Sequence, residues 1–236
     1  MTTQPFFTTN LPGYFGGKAA SGTMHKIINL IPKHQFFISG FLGNCAIMRY
    51  KQPAKYNIGM DISPQVIEAW RSCLSNNYHL EVMQQNFITT NLGPFGKDTF
   101  CYLDPPYLLE TRASRNRYEY ELTEKEHEQL LQKIRLLTCN VAISCYDNPL
   151  YKMMLYDWDK IHFTSQTRGG PREETLYFNY DRPEPHELHD PRFLGADFRA
   201  REKSTRRIKT ILGKIDRLTP EEQARIKEHL FTITQL

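Results

Sequence analysis

Residues 101–107 read Cys101-Tyr102-Leu103-Asp104-Pro105-Pro106-Tyr107, a short apolar run that passes directly into an acid, two prolines and a tyrosine. An apolar segment bounded this sharply reads as a buried strand. The prolines fix φ and withhold two N–H groups, so the chain beyond Leu103 is stiff and non-helical at the strand's carboxyl end. With proline at about 5% of residues, an accidental Asp-Pro-Pro-Tyr is expected in on the order of one chain of this size per thousand. A turn that merely closes a strand accounts for the prolines but leaves the carboxylate and the ring unexplained.

The four residues suit one kind of ligand. Asp104 and the Pro105 carbonyl can accept the two N–H bonds of a planar exocyclic amine while the Tyr107 ring stacks on the heterocycle, with Pro106 holding the turn rigid. Such an amine is a poor nucleophile while its lone pair is delocalised. Two acceptors out of the ring plane pull the nitrogen toward a tetrahedral form and prepare it for alkylation. Asp104, Pro105, Pro106 and Tyr107 are therefore the candidate catalytic residues.

Working outward, Tyr14-Phe15-Gly16-Gly17-Lys18 comes first, then Gly40-Phe41-Leu42-Gly43-Asn44, Asp61-Ile62, Asn86-Phe87 and finally the Asp-Pro-Pro-Tyr element. In this order the chain resembles, over roughly residues 11–182, the class α (Dam-like) DNA adenine-N6 methyltransferases, which use S-adenosylmethionine. The resemblance implies a Rossmann-like methyltransferase fold and assigns the cofactor to Tyr14, Gly16, Gly17, Lys18, Gly40, Phe41, Gly43, Asn44, Asp61, Ile62, Asn86, Phe87 and Asp104. Lys18 would pair the methionine carboxylate, Asp61 would accept the ribose hydroxyls, and Asn86 and Phe87 would meet the adenine edge and face. Four positions depart from the family pattern: Ser39-Gly40 replaces Glu-Pro, Cys45 replaces a glycine, and Asn86 replaces an acid.

Composition bounds the rest. At 236 residues, 40% hydrophobic and 12% aromatic, the chain can build one sizeable core. No apolar run approaches a membrane span, and the start lacks the basic and apolar regions of a signal peptide, so a cytoplasmic protein is expected. The five cysteines form no Cys-x-x-Cys pair and read as buried free thiols, and no metal site is expected. His186 and His189 fit no common metal spacing.

Apolar segments at 36–39, 56–60, 81–83, 99–103, 140–144, 160–164 and 175–180 read as seven strands with helical stretches between most of them, which predicts a mostly parallel α/β sheet. Ser63-Pro64 marks one helix start, with Val66, Ile67 and Trp70 as its buried stripe. Thr123 with Glu126 marks another as a capping box, ahead of Leu130, Leu131, Ile134 and Leu137. The last two strands leave no room for a helix between them and should pair antiparallel.

Dam-like enzymes carry a target-recognition domain after the second-strand acid, whereas only 24 residues separate Asp61 from Asn86 here. Sequence reading is therefore expected from elsewhere. Candidates are Arg112, Arg115, Arg117 and Tyr118 on a loop over 108–122, Arg168 and Arg172 on a loop over 165–174, a partner, or the tail. From Pro183 the composition shifts to Pro, His and Asp, which divides the chain into a catalytic domain (1–182) and a linker with a basic helical hairpin (183–236). Between Phe198 and Arg217 eight Lys or Arg stand against Glu202 and Asp216, an excess of +6 on a chain whose total is +4. Ile208, Ile211, Leu212 and Ile215 form a stripe expected to pack, leaving Arg206 and Arg207 on the opposite face. The hairpin could grip DNA phosphates, dimerise or dock a separate specificity partner, or stand solvated. The reading that follows is transfer of a methyl group to N6 of a flipped adenine in DNA. Cytosine N4, RNA adenine, and a non-catalytic nucleic-acid-binding subunit of the same fold are the alternatives.

Overall fold

The computed structural model describes residues 22–74, 79–111, 119–167, 170–195 and 197–233. Seven strands, β1 (Phe36–Ser39), β2 (Tyr56–Asp61), β3 (Leu80–Gln84), β4 (Thr99–Leu103), β5 (Asn140–Cys145), β6 (Asp159–Thr167) and β7 (Gly170–Phe178), form one sheet in the order β3-β2-β1-β4-β5-β7-β6. The first five are parallel; β7 runs antiparallel to both its neighbours. This is the Rossmann-like methyltransferase fold that the resemblance implies. All five residues of β4 are buried, with β1 and β5 flanking it on its two edges, which is why it reads as an unbroken apolar run.

Helix α1 (Thr23–Ile28) precedes β1, and α2 (Ala46–Tyr50), α3 (Pro64–Cys73), α4 (Glu124–Arg135) and α5 (Pro149–Met154) connect strands. The expected caps are in place. Ser63 accepts from the Val66 N–H with Pro64 following it, and Thr123 and Glu126 make the reciprocal capping box. Leu130, Leu131 and Ile134 of α4 share a core with Ile38, Leu103, Val141 and Ile143. Phe37 and Phe100 stack with centroids 6.1 Å apart. All five cysteines are buried and free.

Two expectations need correction. The segment 165–174 is not a loop: β6 and β7 stay paired out to Thr167 and Gly170, so Arg172 sits on a strand opposite Ser165. β5 ends opposite Thr175, so this part of β7 has a named strand on one side only, where Pro171 costs no ladder bond on the other. The second correction concerns the basic tail. The chain divides at Pro191, and residues 192–236 form a separate unit with α6 (Phe198–Ile215) and α7 (Pro220–Ile233). Asp197 caps α6, and Thr219 with Glu222 forms a capping box for α7. Among the described residues of α6 none is buried, and Ile208, Ile211 and Leu212 are each 54% exposed, so the expected packing of this stripe is absent.

The stretch read as a linker lies against the first unit through residue 190. Pro32 bridges to Leu188, the Lys33 N–H donates to the Glu187 carbonyl, and the Gln52 N–H donates to Asp190 Oδ2 at 2.7 Å. Here His189 stacks on His34, with centroids 3.8 Å apart, beside the buried Lys51.

Candidate active site

The strand order reverses between β1 and β4: from β1 the chain moves outward through β2 and β3, then returns to β4. Such a switch opens a crevice at the carboxyl ends of the strands. A cavity of about 360 Å³ occupies it, within the roughly 300–1,000 Å³ of ligand pockets. The structure brings together Gly40, Phe41, Gly43 and Asn44 after β1, Asp61 and Ile62 at the end of β2, Asn86 and Phe87 after β3, and Asp104 and Pro106 after β4, all on its wall. Pro105 and Tyr107 belong to the same turn without lining the cavity. Tyr14, Gly16, Gly17, Lys18, Arg112, Arg115, Arg117, Tyr118 and Arg168 lie outside the described residues.

The loop after β1 is held from several directions. Gly43 has φ 38°, a left-handed conformation suited to glycine. Its N–H donates to Asp61 Oδ2 at 2.8 Å, and its carbonyl accepts from Trp70 Nε1 at 2.7 Å. Gly40 is required for another reason: a Cβ there would lie 2.5 Å from side-chain carbons of Leu103 and Phe87. Cys45 stands at the N-cap of α2, its Sγ accepting from the Met48 N–H, with the thiol pushed up by burial.

Asp61 accepts from Gly43 through one oxygen and from the Ser63 N–H through the other, at 2.9 Å. Each oxygen keeps a second lone pair, so the carboxylate can still accept hydroxyls. Burial raises its pKa, against the lowering effect of these backbone bonds. Asn86 uses its amide oxygen within its own turn, accepting from the Ile88 N–H at 2.9 Å, so the NH2 is the end left to meet a ligand. Phe87 is buried on the cavity wall and is held by α4: Lys133 Nζ donates to the carbonyls of Phe87, Ile88 and Thr90 and lies 4.8 Å from the Phe87 centroid.

The Tyr107 ring meets Tyr146 edge-on, with centroids 4.5 Å apart. Its hydroxyl donates to Glu174 Oε2 at 2.8 Å and lies 3.1 Å from Asp104 Oδ1. Lys133, Tyr146 and Glu174 escaped the sequence reading because each acts through an element distant in the chain. A buried acid in a strand was the one available signal, and Glu174 stood in a segment read as loop. The described part of the loop over 108–122 brings Glu119, Tyr120 and Glu121 to the cavity rather than cations. Arg172 is exposed on β7; Arg206 and Arg207 are exposed on α6, with Arg206 3.3 Å from Glu202. No group of side chains that could hold a metal ion occurs among the described residues.

Fold and cavity together define the class: a Rossmann-like methyltransferase fold whose switch-point pocket carries an aspartate-proline-proline-tyrosine turn. A narrower comparison points the same way. Residues 71–155, about a third of the chain, match the family model of the D12 class N6 adenine-specific DNA methyltransferases, and this supports an adenine-N6 DNA methyltransferase family. No curated protein matches the chain. Similar solved structures include an rRNA methylase from Streptococcus thermophilus (12% identity, TM-score 0.45, covering 66% of this chain and 93% of that one). Others are the 23S rRNA methyltransferase ErmE (13%, 0.44, 82% and 86%) and the magnesium protoporphyrin IX methyltransferase of Synechocystis with bound SAM (15%, 0.43, 66% and 77%).

Proposed function

We propose that the protein is a class α DNA methyltransferase that moves a methyl group from S-adenosylmethionine to N6 of a flipped adenine. The observation that carries this reading is the placement of Asp104, at the end of β4, on the wall of the same cavity that Asp61, Asn86 and Phe87 line from β2 and β3. The donor set fits the cofactor. Asp61 offers lone pairs to the ribose hydroxyls, Asn86 an N–H to the adenine edge, Phe87 an apolar wall, and the Gly40–Asn44 backbone the floor. When bound, the cofactor supplies an electrophilic methyl on a sulfonium.

The chain's own residues supply position and electrostatics. Asp104 and the Pro105 carbonyl accept the two N–H bonds of the target amine, which localises the nitrogen lone pair and aims it along the cavity; Pro105 and Pro106 keep these acceptors from relaxing. Tyr107 offers the ring for the extruded base. Lys18 and Tyr14 would close the methionine end. The basic residues Arg112, Arg115, Arg117, Arg168 and Arg172, with Tyr118, would contact DNA near the flipped base, and Arg206 and Arg207 its phosphates.

Incubation of the purified protein with labelled S-adenosylmethionine and a mixture of DNA and RNA, followed by nucleoside analysis, tests the reading. The expected product is N6-methyldeoxyadenosine. Label in cytosine or in RNA would change the substrate, and cofactor binding without transfer would make the chain a non-catalytic subunit.

A further inference from the structure

The Tyr107 hydroxyl stands between two carboxylates, 2.8 Å from Glu174 Oε2 and 3.1 Å from Asp104 Oδ1. Glu174 is only 4% exposed, and Ser165 Oγ donates to its other oxygen at 2.5 Å, which leaves Oε2 turned to Tyr107. A phenol carries one proton and can serve one acceptor at a time. That proton stays on the ring: burial, then the charges of Asp104 and Glu174, push the Tyr107 pKa well above its usual value. What varies is the direction in which the hydroxyl points. Donated to Asp104, it would occupy a lone pair of the carboxylate that is to receive the substrate amine and would lower its strength as an acceptor.

We propose that Glu174 is a positioning residue that draws the Tyr107 hydroxyl proton away from Asp104 and so keeps the Asp104 carboxylate available to the substrate amine. The inference rests on the amine-methylation reading above and deepens it. It has an unusual consequence. Removing the acceptor, Glu174, harms the reaction more than removing the donor, because without Glu174 the hydroxyl turns to Asp104, whereas without the hydroxyl that competing donation is gone. A residue that merely packed beside Tyr107 would behave oppositely, each change adding its own damage.

The test compares single-turnover methyl transfer by the whole protein and its Glu174→Leu, Tyr107→Phe and double variants, with cofactor affinity measured by calorimetry as the check on folding. Glu174→Leu is expected to slow transfer about tenfold or more, the scale of a hydrogen bond to a charged group, while cofactor affinity holds. Tyr107→Phe loses less, and adding it to Glu174→Leu recovers most of the lost rate. Should Glu174→Leu lose cofactor binding, Glu174→Gln replaces it. Ser165 then holds the amide oxygen and turns the NH2 to Tyr107, and the same recovery is expected. A double variant as slow as the Glu174 variant or slower overturns the inference, as does a Glu174 variant as fast as the wild type. A wild-type protein that transfers no methyl group to DNA or RNA sinks the methylation reading and the inference together; an active wild type without the recovery sinks the inference alone.

Discussion

Asp104 and Asp61 both stand at carboxyl ends of parallel strands, yet their surroundings prepare them for different work. Asp104 has the rigid proline turn behind it and, in the proposed reaction, a target amine to hold during transfer. Asp104→Ala should lower turnover by orders of magnitude with cofactor affinity nearly unchanged, since the bond matters most as the nitrogen becomes tetrahedral; turnover and calorimetry on one preparation check this, and near-normal turnover would remove Asp104 from the chemistry. Asp61 is tied to Gly43 and Ser63 and should act in binding. Asp61→Ala should weaken S-adenosylmethionine by about 1.5 to 3 kcal/mol, and unchanged affinity in a folded variant would leave Asp61 only its brace between two loops. The positions of both were legible in the sequence because a strand end is marked locally, by Pro105-Pro106 in one case and Ser63-Pro64 in the other. Glu174 and Lys133 were not legible. Nothing near them in the chain announces that Glu174 meets Tyr107 across 67 positions or that Lys133 holds the carbonyl of Phe87 across 46.

At the scale of elements, the parallel half of the sheet was readable because helix and strand alternate with clear caps, whereas the β6–β7 hairpin runs longer than its apolar pattern. Gly170-Pro171-Arg172 looks like a turn; it becomes strand only because β6 supplies partners up to Thr167. The segment 183–190 presents the same problem. It has a linker's composition, but its bonds to Pro32, Lys33 and Gln52 lie far back in the chain. This clasp should be acid-sensitive. Burial, then the Lys51 ammonium, lowers the His34 pKa far below 6.5 and that of His189 to about 4. Above pH 6.5 neither histidine binds protons in either state. Below it the unfolded chain takes them up while the folded chain refuses, so stability should fall from pH 6.5 through about 4, by at most about 1.4 kcal/mol per pH unit for each histidine. Denaturant midpoints across that window check the slope, and His189→Phe, which keeps a ring against His34, should reduce it. An unchanged midpoint between pH 7 and 4.5 would show that the clasp opens before the core does.

The whole molecule places its strongest positive charge in the unit 192–236, where an exposed basic helix follows, along the chain, a unit whose described cavity rim carries Glu119 and Glu121. If the tail grips phosphates, ending the chain after Pro191 should weaken DNA binding across sequences and flatten its salt dependence, by roughly 0.9 in log–log slope for each phosphate no longer neutralised. The cut belongs at 191 because residues 183–190 help close the first unit. Titrations on matched duplexes at several salt concentrations would show it, and an unchanged slope would leave the tail as a docking or dimerisation element. The sheet's order carries a consequence of its own for biosynthesis. β7, the last strand made, is the one that slots between β5 and β6. Until Phe178 has left the ribosome, the apolar run Val141–Ala142–Ile143 remains an open edge beside a nearly finished core, for some seconds at roughly 5–20 residues per second. A message truncated between β5 and β7 should therefore yield insoluble product, whereas one ending just beyond Pro191 should not.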